Sequence, residues 1–247
     1  MADKPEVPQA APALGAAAQG EIVTVFIGPK KKRYIVHKDV ICYHSEYFRA
    51  AFNGRWKEFE EGVTLEDVEV KVFNLFVHWL YAKKLPTGSK SLLEIAVPDA
   101  TCGNSLPERK SASKLLLMAS VFGDRFLAPV FHRLAHNTFV NRFVVESGDH
   151  SSLAYEVVIW IYDNLPKGSP LIDLAVELQC VIWEIEDDDE EEKLLWPQLP
   201  QEFLLAVMLR QDELKGQECT DIKLNACDYH LHASEKEKKA CQQNAKK

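Results

Sequence analysis

The chain has 247 residues, 47% of them hydrophobic and 27% charged, with a formal net charge of −8. A mix of this kind excludes wholesale disorder and fibrous repeats, and the length allows one large domain or two small ones. The charge is uneven, with 15 basic and 12 acidic residues in 21–122 against 13 and 23 in 123–247, so the basic footprint of non-specific nucleic-acid binding is missing and protein partners are expected, with no direct nucleic acid.

No apolar run approaches the roughly 18–20 residues of a membrane helix, and residues 1–20 lack the apolar centre of a signal peptide. The six cysteines are too sparse for a disulfide scaffold, and no Asn-x-Ser/Thr acceptor occurs. These features lead us to expect a protein without a membrane partner, in a reducing compartment, cytoplasmic or nuclear.

Residues 1–20 are rich in alanine, proline and glycine and read as a disordered tail, because they hold too little apolar surface to offset the entropy of ordering. From Ile22 the texture changes. The β-branched and aromatic run 22–27 ends at Gly28-Pro29, a basic turn follows, and 33–37 is a second such run, so a β-hairpin is predicted. Residues 38–52 read as helix, with Ser45 as an N-cap placing Tyr47, Phe48, Ala51 and Phe52 on adjoining faces. A short strand is predicted at 63–65.

The clearest helix is 67–83, in which Phe73, Phe76, Val77, Leu80 and Tyr81 recur at helical spacing and Asp67 and Glu69 favour the N-terminal dipole. Residues 85–113, with three prolines, two glycines and many serines, read as an insertion or surface loop. Helices are predicted at 114–122, 125–139, 155–164, 171–185 and 202–209. The seven consecutive acidic residues 186–192 repel one another and are expected to form a solvated loop.

The order strand, strand, helix, helix, strand, helix over residues 21–84 comes with particular residues: the hydrophobic strand pair, His37-Lys38, Ser45-x-x-Phe48 opening a helix, and a Phe-rich helix ending in Trp79-Leu80-Tyr81. This segment resembles a BTB/POZ domain, and 115–140 is similar in pattern to the end of one. The second half, with 155–178 and Leu199-Pro200-Gln201-Glu202-Phe203-Leu204, resembles the helical region that follows the BTB domain in many fungal proteins. The resemblance implies an α+β fold, a small sheet covered by helices, followed by an α-helical C-terminal domain. The domains expected are a tail at 1–20, a BTB/POZ domain at 21–140 with an insertion at 85–113, and a helical domain at 141–247 with the acidic loop 186–192. It further implies a non-catalytic interaction module, commonly a homodimer.

In BTB adaptors of cullin-type ubiquitin ligases, a hydrophobic-x-Glu element docks the cullin at the place where this chain has Trp56-Lys57-Glu58. A large aromatic anchor beside an orienting carboxylate has the composition of an interface hot spot. Phe59-Glu60-Glu61 repeats the pattern, so Trp56, Glu58, Phe59 and Glu61 are the candidate partner-binding residues in either register, against the alternative of a solvent-exposed, partly packed loop. The reading is therefore a substrate adaptor of a cullin ligase, with a homo-oligomeric scaffold or transcription-linked BTB protein as the alternative. Ile22 stands where transcription-repressor BTB dimers have a buried Asp, and Glu21 would face the other way, which weakens a co-repressor pocket. His37 is expected to be structural, and Lys30-Lys31-Lys32-Arg33 reads either as a nuclear-localisation string or as a soluble hairpin turn.

Near the C-terminus, Cys227-x2-His230-x-His232-x8-Cys241 offers four ligands of the types zinc prefers. In an extended segment His230 and His232 share a face, while Ser234 and Glu237 form a capping box for a helix carrying Cys241 back toward them. A structural zinc closed by Cys227, His230, His232 and Cys241 is one reading; ordinary packing with a charged helical tail is the other. No other cofactor is expected. There is no Gly-x-Ser-x-Gly, P-loop, His-Glu-x2-His or Gly-x-Gly-x2-Gly string, so no catalytic residue is nominated.

Overall fold

The computed structural model describes residues 12–54, 61–98, 106–145, 152–216, 222 and 224–244. Helix α1 (Leu14–Ala17) is a single turn in the stretch expected to be a tail, and Ala17 is buried. The departure has a simple cause: a small side chain fits against the helix after the hairpin, and no large apolar residue is needed.

Strands β1 (Ile22–Ile27) and β2 (Lys32–His37) form the expected hairpin, in register from Ile22 opposite His37 to Ile27 opposite Lys32. Strand β3 (Val63–Leu65) runs parallel to β1, pairing Val25 with Val63 and Ile27 with Leu65, so the sheet order is β2-β1-β3. Val23, Val25 and Ile27 are buried while Ile22 is exposed, the period-two alternation of a sheet covered on one face. Entry into β3 requires Gly62: its φ is +87°, and a Cβ there would stand 2.8 Å from the Thr24 carbonyl oxygen.

The segment expected as one helix over 38–52 is two, α2 (Lys38–His44) and α3 (Glu46–Ala51). Ser45 breaks it, extended at φ −139° and ψ 121°. Its hydroxyl donates to the Phe126 carbonyl at 2.6 Å and accepts the Phe48 N–H at 3.2 Å. The cap thus also ties α3 to a residue 81 positions away. Helix α4 (Val70–Ala82) begins three residues later than predicted, because Asp67 lies outside it in an ion pair with Arg125. Val72, Leu75 and Trp79 are buried together with Phe73, Phe76 and Leu80, so the helix buries more than the single stripe its periodicity suggested. Val77 and Tyr81 are only half-buried.

Residues 85–113 are not a loop throughout. Helix α5 (Ser89–Ala96) buries Leu92, Leu93 and Ala96 and packs on α4, whose Asn74 side chain donates to the Ala96 carbonyl at 2.7 Å. Its prolines lie before and after the helix, where they do not interrupt it. Helix α6 (Leu106–Arg125) starts inside the predicted loop and absorbs the helix expected at 114–122; α7 (Pro129–Val144) extends the one expected at 125–139. Between them the chain turns through Leu127 at φ +49°. Gly123 lets the two approach: a Cβ there would lie 2.6 Å from the His132 nitrogen.

The chain divides into two compact units, one within residues 1–102 and 118–132, the other within 103–117 and 133–247. A single cut near residue 140 does not describe this, since α6 and α7 each contribute to both units. The first unit is centred on aromatic rings. Phe76 lies 5.0 Å from Phe122, 5.1 Å from Phe131 and 5.9 Å from Trp79, and Phe48 stacks 6.0 Å from Phe126.

The second unit continues with α8 (Tyr155–Asn164), α9 (Pro170–Val181), α10 (Glu190–Lys193), α11 (Gln201–Glu213), α12 (Ala226–Tyr229) and α13 (Glu235–Asn244). Helix α9 packs on α8, α11 and α12, burying Leu171, Leu174 and Leu178. It ends at Val181, short of the predicted 185, and the chain beyond it brings the Trp183 indole to Asp188.

The acidic run 186–192 is not wholly solvated. Asp188 and Glu192 are buried, because each meets a full set of donors. Asp188 accepts from the Trp183 indole at 2.8 Å, the Trp196 indole at 2.8 Å and the Tyr155 hydroxyl at 2.9 Å. Glu192 accepts the Tyr155 N–H at 2.8 Å and pairs with Lys110. Burial, then the bond to Asp188, raises the Tyr155 hydroxyl pKa well above its ordinary value. Glu186, Asp189, Glu190 and Glu191 remain exposed, as a charge run should.

Two outcomes follow from this packing. Asp188→Ala strands two indole N–H groups and a phenol, and at about 1–3 kcal/mol per unsatisfied donor should lower unfolding stability by about 3 kcal/mol or more in urea titrations followed by Trp fluorescence; a loss under about 1 kcal/mol would contradict the network. His44 rests 4.9 Å from the Trp79 ring with the Lys83 ammonium donating to its Nε2. Burial, then the Lys83 charge, lowers its pKa from 6.5 to about 4. The unfolded chain therefore binds a proton at His44 before the folded one does, so this residue's contribution is complete above pH 6.5 and is lost as pH falls toward 4. His44→Gln should flatten stability between about pH 7 and 5 relative to the parent chain, measured by thermal melts across that range.

Candidate interaction surface and Cys-His cluster

Helix α3 ends in the buried Phe52, and Val63 and Leu65 of β3 are buried in the same unit. Between these anchors lies the expected partner-binding element. Trp56, Glu58 and Phe59 fall outside the described residues. Gly54 and Glu61 are both exposed.

The other singled-out residues of this unit are accounted for by local partners. His37 Nδ1 lies 3.0 Å from the Tyr81 hydroxyl, which also accepts the His37 N–H at 3.2 Å, a structural role at the strand-to-helix corner. Glu21 pairs with Lys38 at 2.7 Å, and Ile22 is 61% exposed with Ile35 of β2 at 54%. The basic string 30–33 spans the end of the hairpin turn and the start of β2: Lys31 takes φ +50° and pairs with Glu66 at 3.5 Å, while Lys32 and Arg33 pair with β1.

In the second unit, three of the four C-terminal Cys and His residues, Cys227, His232 and Cys241, come together, and His230 contacts Cys241. Cys227 is buried in α12, whose cap is the Asn225 side chain accepting the Cys227 N–H at 3.1 Å. The chain leaves this helix at His230 (φ −71°, ψ 144°) and runs extended, as period-two reasoning required. Helix α7 grips the extended strip. Asn137 accepts the Leu231 N–H at 2.8 Å and donates to the Leu231 carbonyl at 3.0 Å; His136 Nε2 lies 2.8 Å from the Tyr229 carbonyl, and His230 Nε2 lies 2.8 Å from Asn141 Oδ1. The expected capping box forms with a shift of one residue: Ser234 Oγ accepts the Glu237 N–H at 3.3 Å, while Glu237 Oε2 accepts the N–H of Ala233 at 2.5 Å.

The side chains then converge. Cys227 Sγ lies 3.6 Å from His232 Nε2, and the ligand atoms of Cys227, His232 and Cys241 all lie within 4.8 Å of one another. His230 stands beside that set of three, with its Nδ1 3.4 Å from Cys241 Sγ. Burial, then the bond to Cys241, pushes the Cys227 thiol up to about 11, and burial followed by the charge of His232 lowers His230. Asn137 and Asn141 were not among the sequence candidates. Nothing marks an asparagine on α7 as a partner of a segment about 90 residues later until both are placed.

A second feature went unread. Helix α11 buries Phe203 but exposes Leu204 (43%), Leu205 (57%), Met208 (67%) and Leu209 (60%). These lie at i, i+1, i+4 and i+5 and share one face. The available signal was the excess of apolar residues in 203–209 over what a single buried stripe uses.

Among the described residues, no helix is long and apolar enough to cross a membrane. A family model for the BTB/POZ domain matches residues 16–97, a span that takes in the α1 turn, the three-stranded sheet and helices α2 to α5. No curated protein matches the chain. With its small sheet covered by helices and its helical second part, the chain carries at residues 16–97 a BTB/POZ domain, a protein-protein interaction module.

Proposed function

We propose that the chain is a non-catalytic substrate adaptor of a cullin-type ubiquitin ligase, its BTB/POZ half engaging the cullin and its helical half engaging a recruited protein. The observation that carries this reading is the position of Trp56-Lys57-Glu58 and Phe59-Glu60-Glu61 in the sequence between α3 and β3 of the BTB/POZ domain, where Gly54 before them and Glu61 at their end are exposed. A large aromatic beside a carboxylate has the composition of a binding hot spot. The apolar face of α11 supports the second role, because rows of exposed leucine and methionine mark protein interaction sites. A cullin partner would place the protein in the cytoplasm or nucleus.

The alternative, a homo-oligomeric scaffold, draws on Ile22 and Ile35. Both are exposed on the adjacent strands β1 and β2, the kind of surface that a second copy covers.

Calorimetry of the full chain against a cullin N-terminal fragment separates the two. Micromolar or tighter binding is expected, with Trp56→Ala and Glu58→Lys each weakening it at least about tenfold, the size of a 1.4 kcal/mol loss. Absence of binding by a folded, self-associated chain would leave the scaffold. For α11, Leu205→Lys with Leu209→Lys should leave unfolding stability within about 0.5 kcal/mol of the parent, as surface changes do, and leave cullin affinity unchanged while weakening capture of the recruited protein; a stability loss of several kcal/mol would mean that this face is already used in folding.

A further inference from the structure

We propose that Cys227, His230, His232 and Cys241 bind one zinc ion that fastens the C-terminal helix α13 to the rest of the second unit. In a zinc tetrahedron with Zn–S near 2.3 Å and Zn–N near 2.0 Å, neighbouring sulfur and nitrogen ligands stand about 3.5 Å apart. The Cys227–His232 and His230–Cys241 separations are 3.6 and 3.4 Å. The set is two soft sulfurs and two imidazoles, the chemistry of a Cys2His2 site.

Two further observations point to the same ligand. Metal-binding histidines fix their tautomer by bonding the second ring nitrogen to an outer partner. His230 does so: its Nε2–H donates to Asn141 Oδ1 at 2.8 Å, which leaves the Nδ1 lone pair on the side of Cys241. Asn137, one turn earlier on α7, holds both backbone groups of Leu231 between the two histidines, so their spacing is set before any metal arrives.

The second observation concerns α13. Its sequence is EKEKKACQQN, and among its described side chains every one is exposed except Cys241, which is half-buried. Isolated helices shorter than about 12–15 residues are marginal in water, and the usual remedy is an apolar face to bury. This helix has none, and the one side chain it turns inward is a metal ligand. A thiolate–zinc bond supplies the anchor that hydrophobic burial does not. On binding, Cys227 and Cys241 each release a proton to solvent and the histidines coordinate as neutral imidazoles, giving a site of no net charge. Four protein ligands leave no open position, so the ion is structural.

The full chain, purified under reducing conditions and freed of metal by chelation, should take up one zinc per molecule. With cobalt(II) in place of zinc it should develop the ligand-field bands of tetrahedral cobalt together with thiolate-to-cobalt charge transfer. Chelation should raise amide hydrogen exchange in 226–244 while α8 and α9 stay protected. Asn141→Ala should weaken zinc binding about 10- to 100-fold without changing the tetrahedral spectrum, the effect of losing an outer partner. A folded, reduced chain that shows neither stoichiometric zinc nor thiolate–cobalt bands overturns the proposal. So does zinc that survives Cys227→Ser with Cys241→Ser, which would place it elsewhere on the chain. Should that double variant fail to fold, the parent chain's cobalt spectrum and the Asn141→Ala affinity decide, and unchanged affinity removes His230 from the ligand set.

Discussion

The first unit is organised by the ring of Phe76. It meets Phe48, Phe73, Trp79, Phe122 and Phe131, side chains contributed by α3, α4, α6 and α7, so that elements distant in sequence share one packed centre. Each such ring pair adds about 0.5–1.5 kcal/mol beyond simple area burial and favours tilted or offset geometry, which fixes angles as well as proximity. The sheet alone has three short strands, too little to stand without helices against it. The hydroxyl of Ser45 completes the arrangement by holding the start of α3 against the Phe126 carbonyl at the rim of the same cluster.

The second unit solves its packing with polar groups where aliphatic ones run out. Leucines of α9 supply a conventional core, yet the connection after it carries the run of seven acidic residues 186–192. Burying two of them is tolerable only because Asp188 is met by three donors and Glu192 by a backbone N–H and a lysine. The C-terminal strip repeats the principle. Asn137 and Asn141 satisfy the backbone of Leu231 and the outer nitrogen of His230, and directed hydrogen bonds there do the positioning that shape complementarity does elsewhere.

An interaction module needs a rigid body and accessible surface. The BTB/POZ domain provides the body through its aromatic centre, and the backbone freedom of Gly62 sets the entry into β3. The helical unit contributes the uncovered face of α11, which its own core does not use.

The sequence by itself determined the strand pair, β3, the helix around Phe76 and the BTB/POZ domain, because each is written in residues close in sequence: alternation for strands, helical spacing for α4, and a fixed order of short strings over some sixty residues. Period two and a capping box also put Cys227, His230, His232 and Cys241 forward as a cluster, beside the reading of ordinary packing with a charged helical tail, and the fold gathers Cys227, His232 and Cys241 with His230 against Cys241. Local reasoning failed where the deciding partner is far away. Residues 85–113 looked like a loop because prolines and serines dominate their composition, while Leu92 and Ala96 find α4 only in three dimensions. The acidic run looked solvated because like charges repel, and only the folded chain brings two indoles, a phenol and a lysine to Asp188 and Glu192. The break at Ser45 and the grip of Asn141 on His230 likewise depend on residues more than eighty positions off. Periodicity and capping act over a few residues and can be read in order; long-range hydrogen bonds are set by where whole helices come to rest, and that was decided by tertiary packing alone.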